Sequence, residues 1–61
     1  MNEEELWYVV RKFSNMRQYS EDGVIIYSNY DAARESAANL SKILNRWYIP
    51  ILISEYNEIY G

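Results

Sequence analysis

Side-chain chemistry at neutral pH needs groups that change charge, attack an electrophile or hold a metal, and this chain is short of all three. It has no histidine and no cysteine among its 61 residues, so the commonest general base and the best nucleophile are missing. Imidazole and thiolate metal sites go with them, and no carboxylates follow the spacing of a calcium-binding loop. Ser14, Ser20, Ser28, Ser36, Ser41 and Ser54 have ordinary roles open to them as caps, turn residues and helix spacers. Ser41 and Lys42 are adjacent, so on a helix they face different ways and form no dyad. No enzymatic activity, cofactor or metal is expected.

What the chain has in excess is aromatic surface. Seven tyrosines, two tryptophans and one phenylalanine are too many for the core of so short a chain, and surface Tyr and Trp are enriched where proteins touch proteins. Tyr30, Trp7 and Trp47 are expected in the core. Tyr19, Tyr48, Tyr56 and Tyr60 are the candidates for contact with a partner. Glu21 and Asp22 are further candidates. Glu3, Glu4 and Glu5 read as a solvated terminus, the sharper reading being an acidic patch, joined by Glu21 and Asp22, that meets a basic surface on a nucleic-acid enzyme. Arg11, Lys12 and Arg17 form the one basic cluster and read as a solvated strand end, the sharper reading being a phosphate contact beside Tyr19. Nine acids against six bases argue against that contact, and nucleic acid is not an expected partner.

One stretch has an unambiguous period, and the other elements must be arranged around it. From Asn29 to Trp47, at about 100° per residue, Tyr30, Ala33, Ser36, Ala37, Leu40, Ile43, Leu44 and Trp47 share one side of a helix. Asp31, Arg34, Glu35, Asn39, Lys42, Asn45 and Arg46 share the other. Ser28 or Asn29 can cap its start, and Asp31 followed by Lys42 and Arg46 suits the helix dipole. The small residues at 33, 36 and 37 let its first half lie close to a sheet. Leu6–Phe13 is rich in aromatic and β-branched residues and reads as a strand apolar on both faces. A capping box of Asn2 and Glu5 keeps a helix open there. Val24–Tyr27 reads as a short buried strand after a turn at Asp22-Gly23. Tyr48–Tyr56 reads as a third strand whose Pro50 belongs at its start or on an edge.

Together these give one small α+β domain over residues 1–61, with 1–5 frayed. The expected fold is a three-stranded antiparallel sheet, β-β-α-β in order 2-1-3, with one amphipathic helix on one face. The other face would have no cover, which suggests a homodimer that stacks these faces or pairs edge strands. A chain of this size buries only about 60% of its unfolded surface, so association is the natural reinforcement. No apolar run approaches the ~18 residues of a membrane span and MNEEE is not a signal peptide, so a cytoplasmic protein with no membrane partner is expected.

In size, acidity, tyrosine content and lack of catalytic residues, the whole chain resembles small phage-encoded inhibitors of bacterial antiphage defence, among them anti-CRISPR proteins and inhibitors of the Thoeris, Gabija and Hachiman systems. The resemblance implies a non-enzymatic binder that blocks a surface of a host protein. It rests on no motif and carries over no residue. The alternative is a structural or accessory subunit of a larger assembly.

Overall fold

The computed structural model describes residues 5–61; of the expected frayed terminus, 1–4 lie outside the described residues and Glu5 is exposed. Six elements follow in order: β1 (Trp7–Arg11), β2 (Tyr19–Ser20), β3 (Gly23–Val24), α1 (Tyr30–Leu44), β4 (Tyr48–Leu52) and α2 (Ile53–Tyr60). The alternation of β1 decides the layering. Val9 packs on Ala33 and Ala37 of α1, while its neighbour Tyr8 meets the ring of Tyr56 in α2 edge to face, with centroids 5.0 Å apart. Successive strand residues point to opposite faces, so the two helices cover the two faces of one ribbon. The open sheet face expected from the sequence is therefore closed by the chain's own C-terminal helix.

The ribbon is an antiparallel pair of β1 and β4, in which Trp7 faces Leu52, Val9 faces Pro50 and Arg11 faces Tyr48. Its ladder extends by Lys12 N–H donating to the Trp47 carbonyl at 2.7 Å and Ile53 N–H donating to the Leu6 carbonyl at 2.9 Å. Hydrogen-bonded and non-bonded pairs alternate in such a ladder, which puts Val9–Pro50 among the non-bonded pairs. A backbone N–H at position 50 would thus point away from β1, so proline removes a donor from the open edge and takes no bond from the ladder.

The expected 2-1-3 order is not formed. On its other edge β1 makes only isolated bridges, Val10 with Arg17 and Trp7 with Tyr27, and β2 and β3 pair separately as a hairpin. Val24–Tyr27 fails as a continuous strand because its partner changes: Ile25 N–H still donates to the Gln18 carbonyl at 3.0 Å, whereas Tyr27 pairs with Trp7 through backbone bonds of 2.7 and 2.9 Å. The hairpin turn is Glu21–Asp22, one residue earlier than the Asp22-Gly23 pair suggested, since Ser20 faces Gly23. Gly23 takes φ +116°, a conformation that only glycine adopts readily. A polar link fastens the hairpin to α1: Tyr27 Oη lies 2.8 Å from Gln18 Oε1 and 2.7 Å from Ser36 Oγ. An amide oxygen only accepts, so Tyr27 donates to Gln18 and accepts from Ser36.

Helix α1 starts where its cap predicts, with Asn29 Oδ1 accepting from Ala32 N–H at 3.1 Å. It ends three residues short of Trp47, because Asn45 adopts the left-handed conformation at φ +53° and turns the chain, a common helix stop. Trp47 consequently leaves the helix face to which its periodicity assigned it and is 61% exposed. Tyr30, also expected inside, is exposed at the other end of α1 with its ring 4.9 Å from that of Trp7. Helix α2 replaces the second half of the expected strand Tyr48–Tyr56. Ile53, Tyr56 and Tyr60 recur at helical rather than strand spacing, and the Tyr56 and Tyr60 rings meet at 5.0 Å. Among the described residues the buried centre is small, Val9, Val10, Ala33, Ala37 and Tyr56, so half-buried aromatics supply much of the packing.

Candidate interaction surfaces

The tyrosines expected at an interface divide into two kinds. Tyr56 is 8% exposed and donates its hydroxyl to the Asn15 carbonyl at 2.8 Å, so its ring serves the fold. Tyr48 is half-buried against the α1 core. Its N–H reaches Ser41 Oγ at 2.9 Å while that hydroxyl donates to the Ala37 carbonyl at 2.8 Å. Tyr60 is partly exposed and clasps the same turn as Tyr56, donating to the Ser14 carbonyl at 3.1 Å. Tyr19 alone of the four stands well clear, 59% exposed, with exposed Glu21 and Asp22 just beyond it on the hairpin.

Tyr19 is nevertheless held in place. Arg17 precedes it by two residues and so projects from the same side of the chain. Its Nη2 donates to the Tyr19 hydroxyl at 3.2 Å and its Nη1 approaches the Tyr8 hydroxyl at 3.5 Å. The guanidinium carbon lies 5.2 Å from the ring centroids of both Tyr8 and Tyr56, and 5.7 Å from that of Tyr19. The Tyr19 hydrogen bond, opposed by desolvation and helped by the Tyr8 bond and by the charge interactions with Tyr19 and Tyr56, raises the Arg17 pKa above its ordinary value. The charged form is thus the one these tyrosines favour, and Nε is buried without a hydrogen-bond partner. Of the basic cluster read from the sequence, Arg17 is an aromatic-bound cation and Lys12 is another, while the third member, Arg11, is half-buried.

A second surface, which the sequence reading missed, lies where β1 ends and β4 begins. Lys12 Nζ sits 3.5 Å from the centroid of Trp47 and 5.3 Å from that of Phe13, so both rings flank one ammonium. Phe13 is 89% exposed and has a left-handed backbone at φ +67°, uncommon for a bulky side chain. Ile43, 75% exposed, and Leu44, about half exposed, occupy the last turn of α1 just before Trp47. The signal that could have found Phe13 is its setting, Lys12-Phe13-Ser14-Asn15, where a turn residue would be expected in place of an aromatic one.

Among the described residues no group of three or more acidic side chains is placed to hold a metal, and no helix is long and apolar enough to cross a membrane. No protein-family model matches the chain, and neither a curated protein nor a solved structure shows significant similarity to it.

Proposed function

We propose that this chain is a non-enzymatic protein-binding module that occludes a surface of a host defence or nucleic-acid-processing protein, in the manner of the phage-encoded inhibitors it resembles. The observation that carries the reading is Tyr19, exposed yet fixed by the Arg17 guanidinium at 3.2 Å. Tyrosine and arginine are the residue types most often found at binding hot spots. A ring already held in place loses little conformational freedom on docking, which leaves more of its contact energy for affinity. Glu21 and Asp22 at the hairpin tip supply a polar, acidic rim, which favours a partner with a basic surface. The homodimer expected from the sequence has less support, since α2 occupies one of the surfaces it would use and Ser41 and Pro50 blunt the other.

The test is affinity capture of bacterial proteins on the tagged chain, with Tyr19→Ala and Phe13→Asn run beside the parent. The expected result is one stoichiometric partner that the parent and Phe13→Asn retain and Tyr19→Ala loses, with all three melting cooperatively. A partner held equally by Tyr19→Ala would refute the placement, and capture of no partner would refute the function.

A further inference from the structure

We propose that the Phe13–Trp47 end of the molecule docks on an anionic lipid surface, with Phe13, Ile43, Leu44 and Trp47 entering the interface and Lys12 and Arg46 facing the headgroups. The net charge of −3 conceals a division of charge that the topology imposes. No Asp or Glu occurs between Leu6 and Ser20 or between Ser36 and Ser54, and those two stretches hold five of the six basic residues. The antiparallel register sets Arg11 opposite Tyr48, which brings Arg11 and Lys12 from one stretch to the same end as Arg46 and Lys42 from the other. The described acids at Glu5, Glu21, Asp22, Asp31 and Glu35 belong to the opposite end of β1, the hairpin and the first half of α1. The remaining two, Glu55 and Glu58, lie on α2, which packs on the other sheet face and at whose C-terminal end Tyr60 reaches the Ser14 carbonyl.

Exposed apolar side chains ringed by Lys and Arg are the composition of an interfacial membrane contact, which needs no spanning segment. Lys12 already lies over Trp47 with its ammonium 3.5 Å from the ring centroid, which places a cation directly beside the apolar side chains that would enter the interface. The aliphatic members decide against single-stranded nucleic acid. Base stacking uses aromatic platforms, to which Ile43 and Leu44 add nothing, and one face of Trp47 is taken by Lys12. A membrane interface rewards all four apolar groups and the cations together.

The experiment is cosedimentation of the intact chain with vesicles of phosphatidylcholine alone and of phosphatidylcholine with an equal part of phosphatidylglycerol, alongside titration of a thymidine oligonucleotide. Expected is partition onto the anionic vesicles only, weakened by salt. Arg46→Ser should reduce it about fivefold, and Phe13→Asn or Ile43→Ser about tenfold. Circular dichroism of each variant establishes that the fold persists; both apolar positions are largely exposed, so either can report if the other unfolds. Absence of binding to anionic vesicles, binding indifferent to both apolar changes, or Phe13-dependent binding to the oligonucleotide in place of the vesicles would each overturn the proposal.

Discussion

Replacing Phe13 by Asn should leave the protein as stable as before or slightly more so, although it removes the largest side chain of its turn. The left-handed backbone at φ +67° costs an ordinary L-residue about 1–2 kcal/mol, and Asn tolerates that region better. Relief of about 1 kcal/mol is therefore available. Against it stands the little that Phe13 contributes. With 89% of the residue exposed, roughly 20 Å² is covered, worth about 0.5 kcal/mol at ~25 cal/mol per Å². The contact with Lys12 at 5.3 Å adds about 0.5 kcal/mol at most in such an exposed position. These effects nearly cancel, and Tm should hold or rise by up to about 4 °C for a domain of this size. Thermal melts followed by circular dichroism, with urea titration at 25 °C, measure the difference. Truncating a core aromatic would instead cost about 3–5 kcal/mol. A loss beyond about 1 kcal/mol would show that Phe13 is packed against the fold, and would remove the ground for treating it as a residue kept for contact at the expense of stability.

Gly23→Ala should destabilise the protein by about 1 kcal/mol even though no atom lies within 4 Å of the new Cβ. The cause is the +116° backbone alone, and an unchanged urea midpoint would contradict it. For Arg17, the raised pKa means that its contribution to stability is complete below the unfolded-state value and is lost only as pH rises through the still higher folded-state value. The Tm difference between the parent and Arg17→Met should therefore stay constant from about pH 6 to pH 9; a difference that changes across that interval would mean that another titrating group acts through this site.

The two surfaces differ in how they arise. The exposed cluster around Tyr19 was legible because Arg17, Tyr19, Glu21 and Asp22 are close in sequence, and a hairpin keeps such neighbours together. Tyr48 and Tyr56 carry the same residue type, yet one is half-buried and the other enclosed. Tyr48 packs against the α1 core, whereas Tyr56 is carried on α2, and α2 was obscured because Ile51, Leu52 and Ile53 form an apolar run that hides where the strand stops. The Phe13–Trp47 surface was not legible at all. Its halves are more than thirty residues apart, and the periodicity that assigned Trp47 to the helix face held only until Asn45 turned the chain.

By itself the sequence determined the element whose causes are wholly local, α1, through its period and a cap at Ser28 or Asn29; it favoured a strand at β1, through its β-branched and aromatic residues, and kept Pro50 to a strand's start or an edge, through its missing N–H. It also excluded histidine and cysteine chemistry outright, since those side chains are absent. Only the tertiary structure decided which face is covered, which tyrosines are spent on packing and where the charges collect. Those depend on the β1–β4 register and on the fold-back of α2. Both are contacts between distant residues: the register is made by backbone bonds that nearly any residue can form, and the fold-back by tyrosines whose hydroxyl partners lie 41 and 46 residues away, so neither leaves a local pattern in the sequence.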